Sequence, residues 1–220
     1  LFVQGPPGSG KTWNGARMAI ALMKAGQRVG ITALSHKAIN KFLGDVREAA
    51  LEEGIRLKGR KKGDDPDDRY EDEFVDRTGS NDDMRDPELR LIAGTSWLFS
   101  RDDQEVETLF VDEGGQFALA DALAVGTAAR NLILLGDPNQ LPQVSQGAHP
   151  EPVDTSALGW LLGAHETMPV ELGYFLAETR RMRPELADVV SELAYEGRLH
   201  AHPDALERHV SGAGLPGLHW

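Results

Sequence analysis

Cysteine is absent from all 220 residues, which excludes disulfides and thiolate-bound metals. Long apolar runs are missing as well. No stretch approaches the roughly 18 residues needed to cross a bilayer, and no basic, apolar and small-residue leader opens the chain. These absences lead us to expect a cytoplasmic protein with no membrane partner. An excess of basic charge is also lacking: 23 Lys and Arg against 35 Asp and Glu leave a net charge of −12. Taken alone, that balance argues against a nucleic-acid partner. The placement of the acids weakens that objection. Residues 63–88 hold twelve acids and three arginines, a net of −9, so the rest of the chain carries only −3. A local basic groove is compatible with that distribution. At 40% hydrophobic and 26% charged, the chain can bury a core, and its length suits one domain or one domain and part of another. It opens at Leu1 in an apolar run without Met, so a fragment of a longer protein is expected.

Short apolar segments alternate with helical periodicity. Strands are expected at Leu1–Gln4, Arg28–Ala33, Leu89–Ala93, Glu107–Val111 and Asn131–Leu135. Helices are expected at Thr12–Ala25, Lys37–Glu52, Gln116–Ala129 and Pro184–Glu196. This alternation implies a parallel sheet covered on both faces. Residues 54–87, rich in acid and poor in large apolar side chains, read as a surface insertion. The last residues, Leu218 to Trp220, read as the beginning of a strand.

Three loops carry chemistry. Residues 5–12 read GPPGSGKT, a phosphate-binding loop between a strand and a helix. Its glycines let main-chain amides approach phosphates, and the helix that follows turns its positive end toward the anion. Gly5, Gly8, Ser9, Gly10, Lys11 and Thr12 are therefore the nucleotide-binding candidates, with Lys11 on the β- and γ-phosphates. Thr12 would supply a hydroxyl to Mg²⁺. Asp112 and Glu113 end an apolar strand, where parallel sheets place their ligand crevice. Asp112 is the second Mg²⁺ candidate, and Glu113 is the candidate base that activates water. Residues 134–142 read LLGDPNQLP, and Gln140 can donate to a γ-phosphate while accepting from water.

Read in order, GPPGSGKT, DEGGQ and GDPNQLPQV resemble motifs I, II and III of superfamily 1 helicases, in wording nearest the subgroup that includes the nonsense-mediated-decay helicase. Residues 32–38 (TALSHKA) are similar to motif Ia, and the resemblance implies nucleic-acid contacts at Thr32, Ser35, His36 and Lys37. Residues 179–184 (TRRMRP) resemble motif IV, which implies an arginine finger at Arg181. Arg180 and Arg183 replace the aromatic and the His usual there, which leaves open which guanidinium meets the phosphate. The chain also resembles the helicase half of bacterial proteins that carry a RecB-like nuclease module. Motifs V and VI are not in the sequence.

The expected fold is thus α/β: a RecA-like P-loop NTPase domain with a central parallel sheet over residues 1–175. An acidic insertion interrupts it at about 54–87, and a hinge and the first elements of a truncated second RecA-like domain occupy 176–220. The function implied is an ATP- and Mg²⁺-dependent helicase or translocase on single-stranded nucleic acid, DNA favoured over RNA, weakly active as a fragment. Two alternatives are a nucleotide-switched binding module that does not unwind and a small-molecule P-loop kinase. Among single residues, Trp13 is expected to pack at its helix start, and Trp97 and Phe99 to be buried rather than form a stacking platform. His36 reads equally as a phosphate contact or a plain helix residue.

Overall fold

The computed structural model describes residues 1–63, 69–141, 150–153 and 155–208. In chain order it contains β1 (Phe2–Gln4), α1 (Lys11–Lys24), β2 (Val29–Thr32), α2 (His36–Glu52), β3 (Gly59–Lys62), β4 (Val75–Thr78), β5 (Leu91–Ala93), α3 (Ser96–Phe99), β6 (Val106–Val111), α4 (Leu119–Gly126), β7 (Ala129–Gly136), α5 (Ala157–Leu162), β8 (Gly173–Phe175), β9 (Glu178–Thr179), α6 (Pro184–Ala194) and β10 (His200–Ala201). Eight strands form one sheet in the order β4-β3-β5-β2-β6-β7-β1-β8. Every pairing in it is parallel.

The apolar strands are buried on both sides, and alternate side chains serve two separate cores. Phe110, Ile133 and Leu135 pack with α1 and α2 through Ala16, Ile20, Ile39 and Phe42. Leu109, Val111 and Leu134 face the opposite way, toward Phe99, Val125 and Leu158 of α3, α4 and α5. Strands read as continuous apolar runs because neither face meets water. Helix α2 starts where Ser35 accepts a hydrogen bond from the amide of Ala38 at 3.2 Å, an N-cap that satisfies one orphan donor.

The acidic segment differs from the expected surface excursion. Its flanks supply β3 and β4, which extend the sheet beyond β5 to one edge. Val75, Met84 and Leu89 are buried, and so is Lys61. The strands were not legible because their residues, GRKK and VDRT, are the polar chains an edge tolerates. The acids are drawn onto neighbouring bases: Arg47 makes a two-pronged contact with Glu73 at 2.7 and 2.9 Å, and Lys58 meets Asp86 at 2.9 Å and Glu88 at 2.7 Å. Such exposed, solvent-screened pairs contribute little, so they offset local repulsion rather than hold the fold.

At the other edge, Gly173–Phe175 pairs with β1. The last strand of the sheet therefore ends just before residue 176, where the hinge is expected to begin. Beyond it, β9 and β10 form a separate two-stranded parallel sheet, with α6 between them in sequence. The strand expected at Leu218–Trp220 lies outside the described residues. Among the described residues no helix is long and apolar enough to cross a membrane.

Candidate nucleotide site

Four neighbouring strand ends build one site. The glycine loop leaves β1, Ser35 follows β2, Asp112 and Glu113 follow β6, and Asp137 follows β7. All four lie at the carboxyl edge of the sheet, where the connections of a parallel sheet leave a crevice.

The phosphate loop is anchored at its start, where the amide of Gly5 donates to Gly136 O at 2.8 Å. Gly8 has φ +82°, and a Cβ there would stand 2.4 Å from the Cβ of Arg181. Glycine is required both for that left-handed backbone and for the approach of the arginine segment. The approach is fixed by Arg180 N donating to Gly8 O at 3.0 Å and Thr179 Oγ1 donating to Pro7 O at 2.8 Å. Helix α1 begins after Gly10 with no side-chain cap, so its first amides face the loop. The Ser9 hydroxyl is buried and has no hydrogen-bond partner among the described residues. An uncapped helix start beside an orphaned, buried hydroxyl fits phosphate oxygens. The Lys11 ammonium folds over the loop, 2.5 Å from Gly5 O and 3.4 Å from Pro6 O. Burial lowers its pKa, and the charges of Asp137 and then Asp112 oppose that shift.

The acid pair sits beside it. Asp112 is buried, accepts from the amide of Glu113 at 2.9 Å, and lies 3.5 Å from Thr12 Oγ1. Burial pushes its carboxyl above the usual range. A hydroxyl and one carboxylate are hard oxygen donors of the kind Mg²⁺ takes together with substrate phosphates. Among the described residues no cluster of three His or acidic side chains offers a fuller metal cage. Thr12 and Asp112 therefore fit Mg²⁺ held partly by a nucleotide.

Glu113 has φ +59°, a strained conformation for a residue with a side chain. Hydrogen bonds on either side impose it: Gly114 N donates to Leu135 O and Gln116 N donates to Glu113 O, both at 2.8 Å. Gly115 is equally constrained, because a Cβ there would meet Asp137 O at 2.2 Å. The turn after β6 thus lies directly against the loop after β7. The Glu113 carboxyl is pushed up first by burial and then by the charge of Asp112, while Lys41 pulls it back down. Lys41→Met should therefore raise the Glu113 pKa further. If ionised Glu113 is the base, the acid limb of the hydrolysis pH–rate profile moves to higher pH; an unmoved limb would separate Lys41 from the base.

Lys11, Asp112, Glu113, Gln140 and Arg181 line a single cavity of about 1000 Å³. Gln140 is braced within its loop, its Nε2 donating to Asp137 Oδ2 at 3.3 Å. The three arginines of motif IV separate by geometry. Arg183 turns away, donating to Arg208 O at 3.1 Å and to Glu185 at 3.3 Å. Arg180 lines the cavity but pairs with Asp204 at 3.0 Å. Arg181 lines the cavity and pairs with no carboxylate among the described residues. Lys37, Lys41 and Asp45 of α2 also line it, as does Arg208. Lys41, Asp45 and Arg208 were not identified in the sequence. The first two had a legible signal, a polar stripe at spacing of four opposite the buried Ile39, Phe42 and Val46. Arg208 had none.

The four residues expected to touch nucleic acid do not stay together. Ser35 and Lys37 line the nucleotide cavity. His36 lines a second hollow of about 630 Å³ with Lys62, Thr95, Trp97 and Arg101. Thr32 is fully buried at the end of β2, apart from both hollows. The aromatic expectations also divide. Phe99 is buried as expected, whereas Trp97 is 84% exposed. Trp13 is half exposed rather than packed in the core, with the Arg17 guanidinium 3.5 Å from its ring centre.

Comparison with known proteins places this geometry. A family model described as an AAA domain matches residues 1–198. The DNA replication ATP-dependent helicase/nuclease DNA2 of Saccharomyces cerevisiae is 26% identical over 148 residues, covering 64% of this chain and 10% of that protein. The protein of the same name from Gallus gallus is 25% identical over 227 aligned residues, covering 99% of this chain and 22% of its own. The chain thus spans less than a quarter of the length of either curated relative. Among solved structures, arterivirus nonstructural protein 10, a helicase, in complex with DNA superposes with a TM-score of 0.60 at 18% identity, over 92% of this chain and 41% of that one. The same viral helicase in a second crystal structure gives 0.58 at 19% identity, over 91% and 40%. At those identities the viral likeness is one of fold. With phosphate loop, acid pair and sensor loop assembled at one sheet edge, the chain belongs to the AAA-domain family of P-loop NTPases.

Proposed function

We propose that this domain is the ATP-hydrolysing half of a motor that moves along single-stranded nucleic acid. The observation that carries the reading is the convergence of Lys11, Asp112, Glu113, Gln140 and Arg181 on one cavity beside the phosphate loop. Main-chain amides of Gly8 to Thr12 and the Lys11 ammonium hold the phosphates. Thr12 and Asp112 hold Mg²⁺, which when bound neutralises charge on the β- and γ-phosphate oxygens. Glu113 takes a proton from the water that attacks the γ-phosphorus as the bond to the ADP oxygen breaks. Arg181 neutralises charge on the transferring phosphoryl group, and Gln140 reports its presence.

Residues 176–220 are assigned to the start of a second RecA-like domain, whose closure on the cavity would complete the site. The hollow bearing exposed Trp97, with Lys62, His36 and Arg101 around it, is the candidate track: an aromatic face stacks a base while cations follow the backbone. The names of the curated relatives support DNA as the strand and a nuclease module elsewhere in the full-length protein. The test is the ATPase rate of the full-length protein with and without single-stranded DNA or RNA. We expect at least tenfold stimulation, greater with DNA. No stimulation by either strand overturns the motor reading. Stimulation without strand displacement replaces it with a nucleotide-switched binding module.

A further inference from the structure

The sensor loop is held from an unexpected side. Asp137, which follows β7, is 3% exposed, and its Oδ2 accepts two hydrogen bonds. One comes from Gln140 Nε2 at 3.3 Å and the other from the hydroxyl of Tyr195 at 2.7 Å. Tyr195 is itself 3% exposed and caps the carboxyl end of α6. A second side chain of the same loop reaches the same place: Asn139 Nδ2 donates to Ala194 O at 2.7 Å and to Glu166 O at 3.0 Å. The other end of α6 starts at Pro184, three residues after Arg181. One helix of eleven residues therefore has a cavity-facing arginine at its approach and the support of the cavity-facing amide at its exit.

We propose that Tyr195 is a positioning residue, coupling movement of α6 to the amide of Gln140 through the one carboxylate oxygen of Asp137 that both side chains share. The proposal rests on the motor reading above. A buried carboxylate keeps its donors, because losing them is expensive where water cannot replace them. With the Tyr195 hydroxyl in place, Gln140 Nε2 can leave Asp137 Oδ2 for a γ-phosphate oxygen and Oδ2 still has a donor, while the main-chain amide of Asn139 keeps Oδ1 occupied at 3.2 Å. With the hydroxyl withdrawn, Asp137 holds the Gln140 amide more tightly and the amide stays off the phosphate. The linkage is reciprocal: a triphosphate that draws Gln140 away strengthens the hold of Asp137 on α6. Burial and Asp137 both raise the Tyr195 pKa, so the hydroxyl remains a donor at any working pH.

The test is Tyr195→Phe in the full-length protein, which deletes one hydroxyl and keeps the ring beside Phe175, now 5.8 Å between centres. We expect the strand-stimulated kcat to fall about tenfold, the loss of one charge-assisted hydrogen bond. The rate without strand should stay within about twofold of wild type, while the melting temperature falls because a buried carboxylate oxygen loses one of its two donors. In a Gln140→Ala background the same substitution should have no further effect, because both changes act through one amide. Equal loss with and without strand, a multiplicative loss in the Gln140→Ala background, or undiminished stimulation each overturns the coupling. If the wild-type protein is itself not stimulated by single strands, the motor reading fails and the coupling falls with it. If wild type and Tyr195→Phe are stimulated alike, only the coupling fails.

Discussion

Glu113→Gln is expected to bind ATP like the wild type and to hydrolyse it about 10²- to 10⁴-fold more slowly, the range a positioned general base contributes. The amide preserves the volume, so the strained turn at φ +59° and its two flanking hydrogen bonds are kept. What is removed is the capacity to take a proton. The environment bears on that role: burial and the neighbouring Asp112 charge raise the carboxyl above its usual range, and Lys41 opposes the shift. Single-turnover phosphate release, with nucleotide binding measured in parallel, checks the expectation. Hydrolysis at the wild-type rate would remove Glu113 as the base and leave its strained backbone without a chemical purpose.

Lys11→Ala is expected to weaken ATP binding by about 100-fold or more. Charge-assisted hydrogen bonds contribute about 1.5–3 kcal/mol each, and this ammonium is the loop's only mobile cation, able to meet two phosphates. Without nucleotide it rests on the carbonyls of Gly5 and Pro6, so binding exchanges those partners for phosphate oxygens. The same rest position means the substitution also loosens the loop. The melting temperature without nucleotide must therefore be measured beside the affinity. An unchanged affinity for ATP would remove the phosphate-loop assignment, whatever the melting temperature does.

Much of this site is legible in the chain as written. Glycine loops and strand-ending acids declare themselves because their requirements are local. Gly8 must turn left-handed, Ser9 must offer its hydroxyl, and an apolar strand of six residues must end at Asp112. Residues 142–149, which include the end of the GDPNQLP wording, lie outside the described residues, yet Gln140 just before them reaches the cavity as expected. The acidic segment misled for an equally physical reason. Edge strands need to bury little, so GRKK and VDRT carry no apolar signature, and their place beside β5 depends on backbone pairing that any side chains permit. Thr32 shows the opposite: a polar residue in a motif that resembles a helicase's reads as a surface contact, but the last position of this central strand is buried against β6.

By itself, then, the sequence determined the class of the protein: a P-loop NTPase domain with a glycine loop, two acids and an amide at the carboxyl edge of a parallel sheet. Spacings within a few residues specify those loops. The tertiary structure alone decided which charges meet there. It left Arg181 in the cavity while Arg180 and Arg183 pair with acids, brought the charge of Lys41 to bear on Glu113, turned Trp97 outward, and set the Tyr195 hydroxyl on the Asp137 oxygen that also holds Gln140. Such partners lie far apart in the chain, 172 residues in the case of Thr179 and Pro7, and only the packing of helices and loops against a common sheet brings them within reach of one another.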